Sequence, residues 1–419
     1  MAAKLALFGG QKVRQIPFPP HPVIGEEEKK AVMEVLESGH LSTFIAQRGE
    51  YFLGGEKIRE FEKKYTEYYS VKYAVTFNSA TAALHAAVVA CGVKPGEEVI
   101  VPPYTFTSTA TSVLMHNAVP VFSDVKADIF CLDPLKLEKA ITPRTRAIIP
   151  VHLFGHPADM DEIISIGRKY NLKVIEDCAQ APGAVYKSRQ VGTIGDCGIF
   201  SFTESKNIMT GEGGMLITDD ERIAEIARMV RNHGEVVLES QTQRTYRSDI
   251  LGWNYRMTEM EAAMGIIQFK KMDSLNGERI KLAEYLGKKL ARIEGLTPPT
   301  VYPYVKHVYY VFSIKYDETR IGIPRDKFVQ AVSAEGIPVG AGYVKPLYLN
   351  PIYHETKPFI YNYFGQDISY DKGICPVTER LYEKELILIP VCRAPATTED
   401  MDDIMLAVDK VLENKHELN

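Results

Sequence analysis

A lysine set between two apolar runs is the first feature of this 419-residue sequence that can do chemistry. Lys206 lies between the runs 198–202 and 215–218, which are typical of buried strands, and the glycine-rich turn 211–214 follows it. A buried ammonium group is poorly solvated, so its neutral amine becomes available to attack a carbonyl and form a Schiff base. The alternative is an ordinary lysine at the end of a strand.

Four further positions offer what pyridoxal phosphate needs besides such an amine. Ser201 precedes the lysine by five residues and can place its hydroxyl on a phosphate. Residues 78–82 lie where a predicted strand leads into a helix, whose free N–H groups and positive dipole end attract anions. Phe106 offers a ring for stacking, and Asp177 offers a carboxylate for a protonated pyridine nitrogen. The alternatives are a helix cap at 78–82, core packing for Phe106 and a loop cap for Asp177.

An alternation of strands and helices positions these residues. The pattern predicts a largely parallel sheet covered by helices on both faces, with a ligand site beyond the carboxyl ends of the strands. The predicted strands are 73–77, 98–102, 119–125, 147–152 and 173–178, and the helices between them are 80–92, 107–117, 133–141 and 159–170.

The regular alternation of strands and helices ends at a long predicted helix, 258–295. Strands at 307–316 and 386–391, with helices at 325–335 and 397–414, predict a smaller α+β domain. The polar and aromatic stretch 345–379 is predicted to be a functional loop because of its length. The predicted domains are an N-terminal arm (1–25), a large domain (26–290) and a small C-terminal domain (291–419).

Composition narrows the function classes. A net charge of -5, with 45% hydrophobic and 25% charged residues, lacks the basic excess that nucleic acids or anionic membranes favour, so small molecules or another copy of the chain are the expected partners. The six cysteines are scattered without zinc-ligand spacing, and no apolar stretch approaches the length of a membrane span. The sequence therefore predicts a cytoplasmic protein without a metal site or a membrane segment.

Three segments carry a resemblance to a known family. Residues 201–214 around Lys206, residues 176–180 and residues 252–257 resemble the DegT/StrS family of pyridoxal-phosphate-dependent sugar and cyclitol aminotransferases, and the resemblance runs from about residue 53 to the last predicted helix. It implies an α/β fold of the type I (aspartate-aminotransferase-like) aminotransferase class. It also implies pyridoxal 5'-phosphate as cofactor and a homodimer with its active sites at the subunit interface.

The family pattern also implies a role for individual residues. Lys206 would hold the cofactor and shuttle a proton, Gln180 would lie near the ring hydroxyl, and Asn254 would reach the phosphate from the partner subunit. The implied cofactor contacts are Thr81, Ala82, Phe106, Asp177, Gln180, Ser201, Lys206 and Asn254. The candidate substrate contacts, each open to a surface or core role instead, are Arg256, His307, Tyr343, Lys345 and Arg393.

The implied reaction is a ping-pong transfer in two half-reactions, from L-glutamine or L-glutamate to a ketone. The opening segment 7–14 and the loop from Lys345 resemble the aminocyclitol branch, which uses inosose-type ketones; a nucleotide-linked keto hexose is the alternative. A non-catalytic regulatory or binding protein on the same fold is a further alternative. Retention of Lys206, Asp177 and Ser201 argues against it, because a binder does not need the proton shuttle.

Overall fold

The computed structural model describes residues 4–44, 50–236, 246–354 and 368–418, and three sheets organise them. The strands of these ranges are β1 (Tyr73–Phe77), β2 (Glu98–Val101), β3 (Val119–Phe122), β4 (Thr145–Ile148), β5 (Lys173–Asp177), β6 (Val185–Tyr186), β7 (Arg189–Gln190), β8 (Cys197–Ser201), β9 (Gly214–Thr218), β10 (Leu296–Thr297), β11 (Val305–Lys306), β12 (Phe312–Tyr316), β13 (Gly340–Ala341) and β14 (Leu386–Ile389). The α-helices are α1 (Glu26–Ser38), α2 (Glu56–Tyr69), α3 (Ala80–Ala90), α4 (Ser108–Met115), α5 (Pro134–Leu137), α6 (Met160–Tyr170), α7 (Glu221–Arg231), α8 (Glu259–Leu290), α9 (Glu318–Ile321), α10 (Arg325–Ala334), α11 (Pro376–Arg380) and α12 (Thr398–Glu413).

The central sheet has seven strands in the order β1-β9-β8-β5-β4-β2-β3. The pairs β2 with β3, β2 with β4, β4 with β5 and β5 with β8 are parallel, and only β9 runs against its neighbours. Every residue of β8 and β9 is buried, as expected for strands covered on both faces. The predicted largely parallel sheet is confirmed.

Three predicted elements differ clearly from the structure. The strand predicted at 147–152 shares only its first two residues with β4 (Thr145–Ile148). The helix predicted at 133–141 is the single turn α5 followed by a 3-10 turn at Glu138–Ala140. The strand predicted at 307–316 begins only at Phe312. The backbone N–H groups of Val308 and Tyr310 donate instead to the carbonyls of Gly155 and Phe154, so this part of the segment bonds to a turn rather than to a strand.

A four-stranded antiparallel sheet, in the order β10-β12-β14-β13, forms the centre of the C-terminal region. It packs with α10, α12 and the second half of α8, whereas the first half of α8 packs with α2 in a separate apolar cluster. Leu5, from the predicted N-terminal arm, is buried in the C-terminal cluster. The domain boundaries at 25 and 290 stay predictions.

The described parts of the predicted loop 345–379 cover the edge strand β3. Tyr348, Tyr353 and Tyr370 surround the ring of Phe122, at centroid distances of 5.7, 5.3 and 5.6 Å. Covering an edge strand protects its unpaired backbone groups from other chains. Residues 355–367 of the predicted loop lie outside the described residues.

Two observations bear on the expected environment of the protein. All six cysteines are free thiols. Across the ranges that the structure describes, no helix combines the length and the apolar character that crossing a bilayer requires.

Candidate active site

A cavity of about 360 Å³ lies beyond the carboxyl ends of β5 and β8, beside the N-terminus of α3. This is the position that the parallel sheet predicts for a ligand. The sequence-predicted residues that line it are Thr81, Phe106, Asp177, Gln180, Ser201, Lys206 and Tyr343.

A backbone hydrogen bond fixes Lys206 in the cavity wall. Its N–H donates to the carbonyl of Thr203 at 3.0 Å, and its side chain is 9% exposed. The Nζ atom lies 4.4 Å from the centroid of the Tyr310 ring, and no carboxylate of the described residues forms an ion pair with it. An amine in contact with an aromatic ring and without a counter-ion is available to a ligand.

Asp177 presents a buried carboxylate at the tip of β5. Its Oδ1 accepts from the N–H of Ala179 at 3.1 Å, and its Oδ2 accepts from the hydroxyl of Thr109 at 2.9 Å. Burial raises the pKa of the Asp177 carboxyl, while those two hydrogen bonds and the positive charge of Lys206 oppose the rise. A cationic N–H at this position would therefore stabilise the carboxylate.

A hydrogen-bonded pair fixes the strand tip behind Asp177. The Nε2 of His152 lies 3.0 Å from Glu176, and its Nδ1 accepts from the N–H of Ala158 at 3.0 Å, so the ring proton is on Nε2. The backbone N–H of His152 donates to the carbonyl of Asp177 at 3.1 Å. The possible ligand atoms of His152, Glu176 and Cys178 lie within 4.8 Å of one another, as in a metal site. Both ring nitrogens of His152 already form hydrogen bonds, however, so neither is free to bind a metal.

The N-terminus of α3 forms the opposite wall. Ser79 caps the helix, and its Oγ accepts from the N–H of Ala82 at 3.1 Å. The N–H of Ala82 is thus already used, whereas those of Ala80 and Thr81 belong to residues that line the cavity. A Cβ on Gly214 would lie 2.5 Å from Ser79, so glycine at this position lets β9 pass against the start of the helix.

Gln180 and Tyr343 form a fixed polar corner of the cavity. The Oε1 of Gln180 accepts from the N–H of Phe154 at 2.8 Å, and its Nε2 donates to the hydroxyl of Tyr343 at 3.0 Å. The backbone N–H of Tyr343 donates to the hydroxyl of Tyr104 at 3.0 Å. Burial raises the pKa of the Tyr343 phenol, which keeps it protonated.

Some predicted site residues do not line this cavity. Asn254 is exposed, and its Oδ1 accepts from the Nε of Arg256 at 3.0 Å. Lys345 is exposed. His307 is buried, with its ring 3.9 Å from that of Tyr309, so its surroundings give no support to substrate contact. Ala82 is buried, and its backbone N–H donates to the capping hydroxyl of Ser79 rather than facing the cavity.

Two residues that the sequence analysis missed are central to the site. Thr109 holds the Asp177 carboxylate, and Tyr310 lies under the Lys206 amine. Neither belongs to a motif: Thr109 is one of two threonines in α4, and Tyr310 lies within the predicted strand 307–316. Only the folded chain shows which side chain reaches the cavity.

The residues of the cavity fit a flat ligand with a phosphate at one end and a basic ring nitrogen at the other. The start of α3 and Ser201 offer donors for an anion. Asp177 offers a buried carboxylate for the nitrogen, and Phe106 contributes a ring that is 58% exposed in the single chain. Lys206 offers an amine between these two ends.

Comparisons with known proteins identify relatives that are aminotransferases. A model of the DegT/DnrJ/EryC1/StrS aminotransferase family matches residues 22–409. GDP-perosamine synthase of Caulobacter vibrioides is 38% identical over 401 residues, which cover 93% of this chain and 97% of that relative. A protein of Streptoalloteichus tenebrarius, which carries the unproven assignment L-glutamine:3-amino-2,3-dideoxy-scyllo-inosose aminotransferase, is 37% identical over 99% of both chains.

A solved structure matches the architecture as well. DesV of S. venezuelae, in complex with a ketimine intermediate, superposes with a TM-score of 0.78 at 32% identity, over 93% of this chain and 94% of DesV. A match over nearly the whole chain confirms the fold class that the sequence predicts.

Proposed function

Because the chain belongs to the DegT/DnrJ/EryC1/StrS aminotransferase family, we propose that it binds pyridoxal 5'-phosphate at Lys206 and aminates the ketone of a sugar or cyclitol. The amino donor is L-glutamine or L-glutamate, and donor and acceptor react in turn. The observation that carries the proposal is the Lys206 amine, 9% exposed and without a carboxylate partner in the described residues, in one cavity with Asp177 and the start of α3. The relative in complex with a ketimine supports the choice of cofactor.

The side chains divide the work of such a reaction. Pyridoxal phosphate, when bound, supplies an electron sink that acidifies the carbon next to the substrate nitrogen. Asp177 keeps a proton on the ring nitrogen, because its buried carboxylate gains a partner only while that nitrogen is protonated. Lys206, once released from the cofactor, takes the proton from the substrate carbon as a general base and returns it in the reverse direction.

The remaining cavity residues orient the cofactor. The N–H groups at the start of α3 and the hydroxyl of Ser201, which line the cavity, would bind the phosphate, and Phe106 would cover one face of the ring. Gln180 is fixed by hydrogen bonds with Phe154 and Tyr343, and its amide would lie beside the ring hydroxyl. Preorganised donors of this kind stabilise charge without reorganising during the reaction.

An inosose-type keto-cyclitol is the acceptor that we propose to test first. The S. tenebrarius relative, assigned to such a substrate, covers 99% of this chain, including the opening segment 7–14 that resembles the aminocyclitol branch. A nucleotide-linked keto hexose is the second candidate, because GDP-perosamine synthase is equally similar in sequence. Assays with scyllo-inosose and with a nucleotide-linked keto hexose separate them, since the ketone left unconverted marks the rejected branch.

Substitution of Lys206 tests the whole proposal. Lys206→Ala should abolish both the visible absorbance of lysine-bound cofactor and amino transfer. Lys187→Ala is a matched control, because its ammonium also lies over tyrosine rings, at 5.3 Å from that of Tyr186, yet pairs with Asp161 on the surface. Retention of absorbance and turnover in Lys206→Ala would exclude the assigned role. Cofactor binding by the wild type without reaction with any amino donor would favour the non-catalytic alternative.

A homodimer with shared active sites is part of the proposal. Asn254 and Leu251 lie in one exposed segment, and the Leu251 side chain is 81% exposed. A second chain packed against this segment would cover Leu251 and would bring Asn254 to the partner's cavity, as the family resemblance implies. The cytoplasmic location stays a prediction.

A further inference from the structure

The carboxylate of Asp177 accepts fewer hydrogen bonds than that of its neighbour Glu176. Glu176 is fully buried and accepts from three backbone N–H groups and from the ring of His152. Within the described ranges, Asp177 accepts only from the N–H of Ala179 and the hydroxyl of Thr109. An ionised carboxylate offers about four acceptor positions. Asp177 therefore keeps acceptor capacity for a ligand, and a single side chain holds it from behind.

That side chain, Thr109, belongs to a chain of two hydroxyls. Thr109 is fully buried on α4, and its Oγ1 lies 2.9 Å from the Oδ2 of Asp177. A hydroxyl has one proton and an ionised carboxylate can only accept, so Thr109 donates that proton to Asp177. In the 3.1 Å contact between the hydroxyls of Thr105 and Thr109, the donor is therefore Thr105.

The two hydroxyls are fixed relative to both ends of the proposed ring contact. Thr105 is 1% exposed and lines the cavity, in the turn between β2 and α4. The backbone N–H of Thr109 donates to the carbonyl of Phe106 at 3.2 Å. One short segment thus carries the residue proposed to cover the ring face and the hydroxyls that hold Asp177.

We propose that Thr105 and Thr109 form a hydroxyl relay that keeps Asp177 ionised and holds its carboxylate beside the ring nitrogen of the cofactor. The inference rests on the proposed function, which supplies that nitrogen. Both threonines are positioning residues, because they act through Asp177. A hydroxyl binds an ionised carboxylate more strongly than a neutral acid, so its loss makes the carboxylate more basic. A more basic carboxylate would take the proton that the ring nitrogen needs.

Four other titratable groups act on Asp177 or lie near it. The positive charges of Lys206 and His152 favour its ionised form. Burial raises the pKa of the Cys178 thiol and of the Tyr343 phenol, so both groups are neutral. None of the four changes when Thr109 is replaced, so comparing variants isolates the contribution of the hydroxyl.

Infrared titration of the cofactor-free, full-length protein tests the relay without relying on turnover. The carbonyl band of the protonated acid reports Asp177, and its absence in Asp177→Asn assigns it. Thr109→Val keeps the shape of the side chain without its hydroxyl and should raise the midpoint by about one pH unit or more. Thr109→Ser should restore the wild-type midpoint, and Thr105→Val should raise it by less than Thr109→Val, because Thr109 still donates to Asp177.

Thr111→Val is the matched control for the loss of a hydroxyl. Thr111 is the other threonine of α4, and its Oγ1 donates to the carbonyl of Thr107 at 3.1 Å. Its replacement should leave the Asp177 midpoint unchanged.

The outcomes separate the relay from the proposed function. A midpoint that is not raised in folded Thr109→Val, or no titration of Asp177 in either protein, would overturn the relay. So would a raised midpoint that serine at position 109 does not restore, because the effect would then come from packing. A raised midpoint that serine restores, in a protein that transfers no amino group from L-glutamate or L-glutamine, would uphold the relay and reject the proposed function.

Discussion

Asp177 illustrates how a buried residue can favour function at the expense of stability. In the cofactor-free protein Asp177 is 3% exposed, and burial raises the pKa of its carboxyl, so its charge is only partly compensated. Asp177→Asn keeps the shape and removes the charge. We expect the half-reaction with L-glutamate to slow by about 10²–10³-fold, because an amide does not keep the ring nitrogen protonated. We also expect the cofactor-free variant to be at least as stable as the wild type.

The matched control for that substitution is Asp196→Asn. Asp196 also accepts from a strand N–H, that of Val174 at 2.8 Å, but it lies outside the candidate cavity. Its replacement should leave the half-reaction rate unchanged. Single-turnover absorbance and urea unfolding of both cofactor-free variants measure the two effects, and a fully active Asp177→Asn protein would contradict the role of this carboxylate.

The buried side chain of His156 makes the stability of the protein depend on pH. Its Nδ1 lies 2.7 Å from the carbonyl of Pro157, its Nε2 is buried without a hydrogen bond in the described residues, and burial lowers its pKa from 6.5 to about 4. Between these two values the unfolded chain binds a proton that the folded chain does not. The free energy of unfolding therefore falls as the pH falls from 6.5 towards 4, by about 1.4 kcal/mol per pH unit for one such group.

A substitution isolates this contribution from that of the other buried histidines. His156→Gln should lower stability at pH 7 but flatten the loss between pH 6.5 and 5 by about one proton relative to the wild type. Urea unfolding at several pH values measures the slope. Equal slopes in the two proteins would mean that His156 titrates alike in the folded and unfolded states.

At the scale of elements, the phosphate end of the site depends on how closely β9 approaches α3. Gly214→Ala would place a Cβ 2.5 Å from the backbone of Ser79 and 2.6 Å from the N–H of Ala80. We expect the start of α3 to shift, with a loss of about 1–3 kcal/mol in stability and weaker binding of pyridoxal phosphate. Spectroscopic titration of the cofactor and urea unfolding measure both.

Gly277→Ala is the control for that crowding. Gly277 lies in α8, and no atom of the described residues beyond its own helical turn comes within 4 Å of the position that a Cβ would take. Alanine there should therefore stabilise the helix by up to about 1 kcal/mol without affecting the cofactor. If both alanine variants bind pyridoxal phosphate like the wild type, the contact between β9 and α3 does not shape the phosphate site.

The strands and helices that carry the site can be predicted from the sequence because each is marked by a pattern of apolar residues within its own segment. Buried parallel strands read as apolar runs, and β1 was predicted to the residue. The three-stranded sheet β11-β6-β7 was missed because strands of two residues have no period to detect. The same reasoning found Asp177 at a strand end and Lys206 on the loop between two strands. It missed Thr109 and Tyr310, whose roles depend on contacts between distant segments.

At the scale of the molecule, the proposed homodimer would cover apolar groups that the single chain leaves exposed. Phe106 is 58% exposed within the cavity wall, and Leu251 is 81% exposed. A partner surface would remove such apolar groups from water. A second copy of the chain, packed against this side, would cover them and bring its own Asn254 towards the cavity, as the family resemblance implies.

Complementation between two inactive variants tests this sharing of residues. Lys206→Ala and Asn254→Ala chains should each form homodimers of low activity. In co-expressed mixtures, half of the dimers are mixed if pairing is random, and each mixed dimer has one site with both substitutions and one with neither. About a quarter of the wild-type activity should therefore return. If Asn254 acts within its own chain, every site of a mixed dimer carries one substitution, and mixing restores nothing. Sedimentation of the mixture checks that dimers have formed, so a failure to restore activity in dimeric protein would place Asn254 outside the partner's site.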